Sequence, residues 1–433
     1  MASSWPSVQL GDVVELTTGF PFNSNRYAED PAGIRLLRGD NVAQGVLQWD
    51  GAKRWPCSEV ESLQEYLLKE GDVILAMDRP WIDRGLKYAS IRSVDLPALL
   101  VQRVARLRGK ERLDTRYLMY IIGGEAFTNY ILGTQTGTTI PHISAGQIRG
   151  FRFALPPLPV QHAIATRLGM LDDKIELNRR MNETLEVMAR ALFKSWFIDF
   201  DPVRAKAEGR DPGLPADIAA LYPDSFQDSE LGEIPKGWRV KGLDEIADFL
   251  NGLALQTFPP HDGRSIPIIK IAQLRAGNTQ GADATSANLD AKYVVDDGDV
   301  LFSWSGSLEC VLWTGGLGAL NQHLFKVTSA VYPKWFYYYW IQHHLGSFRE
   351  IAAGKATTMG HIQRHHLSGA KVVVPGRMGL DAVDKALSPI FRQLVQLRLE
   401  SRTLATLRDT LLPKLLSGEL RVPQTGEPSK GLS

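Results

Sequence analysis

The sequence predicts an α+β fold: two tandem-repeat α/β domains joined by two long helices, which pack as an antiparallel coiled coil with pseudo-two-fold symmetry. Two observations predict this arrangement. An apolar seam with heptad spacing occurs twice in the 433-residue chain. A second internal repeat covers the segments that precede each seam, and those segments are rich in strand-forming residues.

The seams are the strongest pattern, because steps of four and three residues select one face of a helix. The first seam consists of Ile164, Leu168, Leu171, Ile175, Asn178, Asn182, Leu185, Ala189, Leu192 and Trp196. Adding 219 to each number gives the second, which consists of Val383, Leu387, Ile390, Leu394, Leu397, Ser401, Leu404, Arg408, Leu411 and Leu415. Each seam would run roughly 50 Å as a helix. Two matched seams in one chain favour helices that pack on each other.

The repeat in the globular halves has an offset that falls along the chain. Trp5 and Gly19 match Trp238 and Gly252 at an offset of 233. At that same offset Ile34, Leu36 and Leu37 match Pro267, Ile269 and Lys270. The Gly-Asp-Val that begins at Gly71 matches the one at Gly298 at 227, and the Thr-Thr pair at Thr138 matches that at Thr357 at 219. Such length changes between matched strands belong to loops, where recognition residues usually lie.

These patterns predict six segments. Strand-rich domains occupy residues 1–155 and 233–375, and helical spacers occupy residues 156–200 and 376–421. Residues 201–232 are rich in Pro, Gly and Asp and form the linker, and residues 422–433 form a flexible tail. The prolines that begin at Pro156 end the first domain and start its helix, and Pro375 does so in the second copy.

Composition excludes several classes of protein. No apolar run approaches the roughly 20 residues of a membrane span, and the start of the sequence lacks the pattern of a signal peptide. Cys57 and Cys310 have no partner motif and are expected to be reduced thiols in a cytoplasmic protein. The net charge of +1 is uninformative by itself, because local basic patches can be balanced by acids elsewhere.

No motif for catalysis or for cofactor binding is found. The chain has neither the Gly-x4-Gly-Lys-Ser/Thr phosphate loop nor a Gly-x-Gly-x-x-Gly after a strand, and Pro259-Pro260 lacks the flanking residues of an amino-methyltransferase site. One cluster consists of His343, His344, His361, His365 and His366. His361 and His365 have helical metal-pair spacing but no convincing third ligand, so surface or DNA-facing histidines are favoured and no metal is expected.

Several segments carry a resemblance that covers nearly the whole chain. They begin at Gly137 (GTTIPHI), Phe153 (FALPPL), Gln161 (QHAIA), Ala191 (ALFKSWF), Gly232 (GEIPKGW) and Leu411 (LLPKLLSGEL). Together with the two matched helices and the missing catalytic motifs, they resemble the specificity subunit of a type I restriction-modification system.

The resemblance implies a non-catalytic DNA-recognition subunit. Two target-recognition domains would each read one half of an asymmetric, bipartite site in double-stranded DNA, and the coiled coil would set the gap. Two adenine-N6 methyltransferase subunits would dock on the coil, and ATP-dependent endonuclease/translocase subunits would join them. S-adenosylmethionine, ATP and Mg would be bound by those partners and no cofactor by this chain, in the cytoplasm of a bacterium or archaeon.

Base readout requires cationic, amide and hydroxyl side chains on exposed loops. The DNA-binding candidates of the first domain are Arg38, Asn41, Arg79, Arg84, Lys87, Gln135, Thr138, Thr139 and His142. Those of the second are Lys270, Gln273, Ser303, Ser305, Asn321, Gln322, His323, Lys355, Thr357, Thr358 and His361. For each residue a solvated loop position is the alternative. The Thr-Thr pairs occur in both domains, which favours phosphate contact or capping over base specificity.

Three further features have two interpretations each. The aromatic run from Trp335 to Trp340 fits a helix core better than a base-stacking platform. Asn178 and Asn182 are either tolerated polar residues or residues that fix the register of the coil. A third set exceeds what a two-helix seam needs and is predicted to dock the methyltransferase: Phe193, Trp196, Phe197, Leu412 and Leu416.

Two other classes of function stay open. A fused methyltransferase–specificity enzyme would bind S-adenosylmethionine as an isolated chain, and the missing motifs argue against it. A coiled-coil scaffold without DNA would show no salt-dependent affinity for DNA.

Overall fold

The structure is a computed structural model, and it describes residues 5–82, 85–134, 141–260, 263–354 and 360–422. The fold is α+β, as predicted, and the chain divides into two compact units. The first unit consists of Met1–Lys174 and Leu404–Ser433, and the second consists of Ile175–Thr403. None of the helices within the described ranges has the length and apolar character needed to cross a membrane.

The first unit contains short strands and short helices. Its strands are β1 (Ser7–Gln9), β2 (Val14–Thr18), β3 (Ile34–Leu37), β4 (Arg54–Trp55), β5 (Val73–Ala76), β6 (Trp81–Ile82), β7 (Gly85–Leu86), β8 (Tyr88–Ser90), β9 (Ala98–Leu100), β10 (Val104–Gly109) and β11 (Arg152–Ala154). Its short helices are α1 (Leu10–Val13), α2 (Thr115–Ile122), α3 (Glu125–Thr134) and α4 (Ala145–Gly150), with 3-10 turns at Ser24–Arg26, Gly39–Asn41, Cys57–Tyr66 and Ser93–Asp95.

The second unit repeats this content. After the long helix α5 (Leu158–Phe197), its helices are α6 (Asp201–Ala207), α7 (Ala216–Ala219), α8 (Leu243–Ile246), α9 (Ile271–Ala276), α10 (Lys334–Gly354) and α11 (Arg364–Gly369). Its strands are β12 (Phe226–Ser229), β13 (Gly232–Pro235), β14 (Arg239–Gly242), β15 (Asp248–Asn251), β16 (Ser265–Ile269), β17 (Ala284–Ser286), β18 (Val294–Val295), β19 (Val300–Ser303), β20 (Cys310–Leu312), β21 (Gly318–Leu320), β22 (Leu324–Thr328) and β23 (Lys371–Val374). Turns of 3-10 helix lie at Leu255–Thr257 and Ala291–Tyr293, and the long helix α12 (Arg377–Leu416) follows.

The sheets of the two units have the same strand order. The four-stranded antiparallel sheet is β2-β10-β5-β8 in the first unit and β15-β22-β19-β20 in the second. A second sheet in each unit contains one parallel pair, β3 with β9 and β16 with β21. The central strands β5 and β19 are buried along their whole length, as their continuous apolar sequence predicts. Just before them, Gly71 and Gly298 turn the chain at φ +86° and +88°, a conformation that favours glycine.

The strand pairing corrects the predicted repeat by one residue. Phe20 bridges Val101 in the first unit, and Leu253 bridges Asn321 in the second. Val101 follows β9 and Asn321 follows β21, so the offset between these two matched residues is 220. Leu36 pairs with Leu99, and Ile268 pairs with Ala319. Leu36 therefore corresponds to Ile268 and not to Ile269. The apolar strand sequence could not fix this register, because its two faces are both buried.

The two long helices pack through the predicted seam within each unit. In the first unit Ile164 and Leu168 of α5 share a core with Leu415 of α12. In the second, Asn178 contacts Glu400 while Glu186, two turns further along α5, approaches Arg398 nearer the start of α12. The helices are thus antiparallel there. Every predicted seam residue is buried or half-buried.

Candidate nucleic-acid interface

The segment around His142 is attached to the end of the central strand of the first unit. The Met77 carbonyl accepts a hydrogen bond from the N–H of Ile143 at 2.8 Å, and the Arg79 N–H donates to the Pro141 carbonyl at 3.0 Å. Asp78 and His142 form an isolated antiparallel bridge between these two bonds. The backbone therefore presents Asp78 and His142 side by side.

The second unit builds the same bridge from different residues. The Trp304 carbonyl accepts from the N–H of Ile362 at 2.9 Å, and the Gly306 N–H donates to the Gly360 carbonyl at 2.9 Å. Ser305 and His361 form the bridge. The offsets are 227 and 219, the values already visible in the sequence, so Ser305 matches Asp78 and His361 matches His142.

A third residue lies next to each bridge, in the turn before β10 in the first unit and before β22 in the second. In the first unit the Arg103 carbonyl accepts from the Met77 N–H at 2.8 Å. In the second unit the His323 carbonyl accepts from the Trp304 N–H at 3.3 Å. Arg103 and His323 are therefore matched positions at an offset of 220. We call Asp78, Arg103 and His142 the first cluster, and Ser305, His323 and His361 the second cluster.

Charge dominates the first cluster. The Asp78 carboxylate lies 2.5 Å from His142 Nδ1 and 2.9 Å from an Arg103 guanidinium nitrogen. Because a carboxylate only accepts, Nδ1 of His142 carries the hydrogen that it donates. The Arg103 side chain is 63% exposed, whereas Asp78 is 30% exposed. The carboxylate thus holds a cation that projects into solvent.

Hydroxyl and aromatic groups dominate the second cluster. Ser305 Oγ lies 3.0 Å from His323 Nδ1. The Trp304 ring lies 5.8 Å from the His323 ring and 6.4 Å from the His361 ring, and its indole N–H donates to Asn251 Oδ1 at 2.9 Å. Ser305 is 4% exposed, whereas His323 and His361 are half-buried. The two units therefore carry chemically different side chains on one backbone frame.

Four further candidates belong to capped turns. Asn41 Oδ1 accepts from the N–H of Arg38 at 3.0 Å, and the Asn41 amide donates to the Gln48 carbonyl. Gln273 Oε1 accepts from the N–H of Lys270 at 3.3 Å in the matched turn of the second unit. The expected exposure is wrong for Asn41, which is 7% exposed and has both ends of its amide bonded to the backbone. Its contact with DNA stays a prediction.

Other candidates of the second unit support the backbone. Ser303 is fully buried, and its hydroxyl donates to the Ser307 carbonyl at 2.6 Å and accepts from the Glu309 N–H at 2.8 Å. Asn321 is 6% exposed, and its Oδ1 accepts from the His323 N–H. For these two residues the expected exposure is wrong, because both side chains are buried and bond to the backbone. Their contact with DNA stays a prediction. Gln322 is half-buried beside the second cluster.

The remaining candidates of the first unit differ in exposure. Arg79 is exposed, while Lys87 is buried and desolvation lowers the pKa of its ammonium group. Seven candidates lie outside the described residues: Arg84, Gln135, Thr138, Thr139, Lys355, Thr357 and Thr358.

The predicted docking residues require a correction. Phe193, Trp196 and Phe197 are 4%, 6% and 0% exposed and lie in the core of the second unit. Phe197 packs between Trp238 and Trp335 with ring centroids 5.8 Å away from each. The prediction that these three offer spare apolar surface is wrong, because their own domain covers them. Leu412 and Leu416 are half-buried against the core of the first unit.

The aromatic run on α10 is core, as favoured from the sequence. All six side chains from Trp335 to Trp340 are at most 4% exposed. Among the described histidines, His365 and His366 have ring centroids 4.0 Å apart. Across the described ranges no group of three or more His, Cys, Asp or Glu side chains is placed to hold a metal ion.

Arg103 is the functional candidate that the sequence analysis missed. Gln102-Arg103-Val104 follows a buried strand just as Gln322-His323-Leu324 does. The offset of 220 between these tripeptides was the available signal, since His323 had already been selected.

Comparison with known proteins shows what the chain is similar to. Residues 2–187 match the family model described as "Type I restriction modification DNA specificity domain". The specificity subunit of the type I restriction enzyme HindI from Haemophilus influenzae is 24% identical over 96% of this chain and 100% of that protein. Residues 2–187 therefore match a DNA specificity domain, and a relative that aligns along nearly the whole chain is a type I specificity subunit.

Two specificity subunits are further similar to this chain. The MjaVIII subunit of Methanocaldococcus jannaschii is 32% identical over 42% of this chain and 43% of that protein. The crystal structure of a type I S subunit from M. genitalium superimposes with a TM-score of 0.53 and 15% identity, covering 95% of this chain and 96% of that one. The latter similarity concerns the fold.

Proposed function

We propose that the two units of this specificity subunit read the two halves of an asymmetric, bipartite site in double-stranded DNA. The observation that supports this proposal is the pair of matched clusters. The same three backbone hydrogen bonds recur in both units, yet Asp78, Arg103 and His142 in one are replaced by Ser305, His323 and His361 in the other. A shared frame with different side chains is expected where two related modules read different bases.

The gap between the half-sites is proposed to depend on α5 and α12. Both helices are 40 residues long, and each contributes to both compact units. A pair of continuous helices joined by an apolar seam is stiff, so its length is suited to define a fixed spacing.

The chain is further proposed to be a non-catalytic subunit that assembles two adenine-N6 methyltransferase subunits and ATP-dependent endonuclease subunits. S-adenosylmethionine, ATP and Mg would be bound by those partners, in the bacterial or archaeal cytoplasm. The absence of nucleotide and methyltransferase motifs from the sequence supports this division of labour.

An exposed apolar surface on α5 is the proposed place of methyltransferase docking. Leu177, Met181, Val187 and Met188 are 51%, 38%, 68% and 49% exposed, although α5 already buries its seam against α12. We call these four residues the α5 surface. Apolar side chains clustered on an exposed helix are suited to take a partner's apolar face.

Selection from a random duplex DNA library tests DNA reading. The chain, purified as the assembly that it forms in its host, should enrich a motif of two defined blocks separated by an undefined gap. A single undivided block would contradict the bipartite proposal. Enrichment of no sequence would favour a scaffold without DNA specificity.

Two variants and one isolated chain test assembly. Met181→Glu with Met188→Glu should prevent the methyltransferase from co-purifying, whereas Arg180→Glu, which changes an exposed polar position of the same helix, should not. The isolated chain should transfer no methyl group from labelled S-adenosylmethionine. Transfer by a preparation free of partner subunits would instead favour a fused methyltransferase.

A further inference from the structure

Arg103 is an exposed arginine whose orientation is fixed by a carboxylate. Its Nη1 lies 2.9 Å from one oxygen of Asp78 and 3.2 Å from the other. Asp78 is held in turn by His142 Nδ1 at 2.5 Å and by the bridge that its backbone makes with His142. The guanidinium therefore projects from a supported position, although 63% of the side chain is exposed.

The backbone at this place adopts a conformation that side chains disfavour. Arg103 has φ +71° and Arg79 has φ +44°. Within the described ranges, Phe200 is the only other non-glycine residue with a left-handed φ. In the second unit the position matched to Arg79 is Gly306, which has φ +64°. Such strain is retained where the surrounding structure or a function compensates it.

We propose that Arg103 determines one base of the half-site read by the first unit, and that this base is a guanine. Asp78 is its positioning residue. An oriented guanidinium presents parallel donors that match the O6 and N7 acceptors of guanine in the major groove. This inference rests on the proposed reading of DNA by the two units.

The chemistry of the cluster favours a base edge over a phosphate. A phosphate contact requires a cation but little orientation, and a flexible lysine would serve as well. The partly exposed carboxylate of Asp78 beside Arg103 would repel a phosphate, whereas a base edge carries only partial charges. A carboxylate that holds the arginine is therefore more useful for reading a base.

The matched position in the second unit is His323, held by Ser305 Oγ at 3.0 Å. The carbonyls of Arg103 and His323 each accept a hydrogen bond from the N–H of the residue that follows the central strand of their unit. The exchange of Arg103 and Asp78 for His323 and Ser305 changes both the number of side-chain hydrogen-bond donors and the charge at the matched positions. We infer that this exchange contributes to the difference between the half-sites.

The experiment compares variants in selection from a random duplex DNA library, using the assembly purified from the host. The variants are Arg103→Ala, Arg103→Lys and Asp78→Asn. Arg116→Ala is the matched control, because Arg116 is also about half-exposed and paired with a carboxylate, that of Asp173 at 3.0 Å, but on helix α2. Affinity for the enriched motif is then measured against salt concentration.

Arg103→Ala and Arg103→Lys should each reduce the preference for guanine at one position of one half-site by about tenfold or more. Asp78→Asn should reduce the preference at that same position and at no position of the other half-site. If Asp78 had only a structural role, Asp78→Asn would lower the stability of the unit and leave the base preference at that position unchanged. Arg116→Ala should leave the motif unchanged.

Three results would overturn the inference. The first is an unchanged motif in Arg103→Ala. The second is a uniform loss of affinity in which the salt slope falls by about one and Arg103→Lys restores binding, because that pattern identifies a phosphate contact. The third is a relaxed position that prefers a base other than guanine in the wild type. If the wild-type assembly enriches no motif, the proposed function fails together with the inference.

Discussion

The side-chain amide of Asn178 on α5 donates a hydrogen bond to the Glu400 carboxylate on α12 at 2.9 Å, near one end of the seam of the second unit. Asn178 is fully buried, and its Oδ1 has no hydrogen-bond partner within the described structure. A buried amide oxygen without a partner destabilises the folded state, while one polar pair in an apolar seam selects a single register.

Replacing Asn178 with leucine should therefore stabilise the second unit and weaken its register. We expect Asn178→Leu to raise the free energy of unfolding by about 1 kcal/mol, because it removes the orphaned oxygen and adds apolar contact. Urea denaturation followed by far-UV circular dichroism measures this change. Asn182→Leu is the control, since Asn182 Oδ1 is also buried without a partner but its amide donates to the Asn178 carbonyl and not to Glu400. A clear loss of stability in Asn178→Leu alone would show that the bond to Glu400 outweighs the orphaned oxygen.

In the first unit Asp172 of α5 should be the most sensitive polar position of the helix pair. Its carboxylate accepts from the Tyr120 hydroxyl at 2.6 Å and lies 2.8 Å from an Arg408 guanidinium nitrogen. Burial, with Asp172 nearby, raises the pKa of Tyr120, so this hydroxyl remains a donor at neutral pH. We expect Asp172→Asn to lower the free energy of unfolding by about 2 kcal/mol.

The neighbouring Asp173 provides the control for that measurement. Its side chain is 74% exposed and pairs with the exposed Arg116, so Asp173→Asn should change stability by less than about 0.5 kcal/mol. Chemical denaturation of both variants gives the comparison. Equal effects of the two substitutions would contradict the account of this half of the helix pair.

His344 on α10 should make the stability of the second unit depend on pH. Desolvation, together with neighbouring His343, lowers the pKa of His344 to about 4, although its Nε2 donates to the Lys371 carbonyl at 2.9 Å. Between the ordinary value near 6.5 and about 4, the unfolded chain binds a proton that the folded chain excludes. The free energy of unfolding should therefore fall as pH decreases through this window, by at most about 3 kcal/mol.

Substitution of His344 isolates this contribution. His344→Gln keeps a hydrogen-bond donor but cannot titrate, so its stability should vary less between pH 6.5 and 4 than that of the wild type. The remaining slope includes His343, whose pKa is also lowered by burial. Parallel pH profiles for variant and wild type, measured by urea denaturation at each pH, would refute the assignment.

A paired insertion tests whether the helices set the gap in the DNA site. One heptad after Asn178 and one after Leu399 enter both helices at facing positions, as the Asn178–Glu400 bond shows. Seven residues lengthen a helix by roughly 10 Å and keep the heptad register. Methylome sequencing should then show both half-sites retained and the gap widened by about two or three base pairs at 3.4 Å each. An unchanged gap in an active double insertion would mean that another feature sets the spacing.

The helices were predictable because their signal is periodic and local. The seams predicted spacers at residues 156–200 and 376–421, and the helices span Leu158–Phe197 and Arg377–Leu416. The heptad pattern does not show, however, which parts of a domain pack over the helix pair. Phe193, Trp196 and Phe197 exceed what a two-helix seam needs, but the aromatic helix α10 and Trp238 cover them in the fold.

The candidate interface was predictable only in part. Ser305, His142 and His361 were predicted as polar residues of loops, and the bridges that they form preserve the offsets of 227 and 219 seen in the repeat. Arg103 was missed because the offset between its turn and the matched turn of the second unit is 220, which differs from 227 and 219. Its proposed role also depends on Asp78, which lies 25 residues away in the sequence. Asn41 and Ser303 were expected on exposed loops but are buried, because polar side chains in turns can bond to nearby backbone.

The central claim is that each unit reads one half-site independently, and exchange of one recognition domain tests it most directly. Residues 1–155 would be replaced by the matching domain of a family member whose methylated motif is known, and the adenine methylome of cells carrying the hybrid would be sequenced. The account predicts that one block of the motif changes to that of the donor while the other block and the gap stay the same. A hybrid that methylates DNA with both blocks altered, or with neither altered, would contradict it.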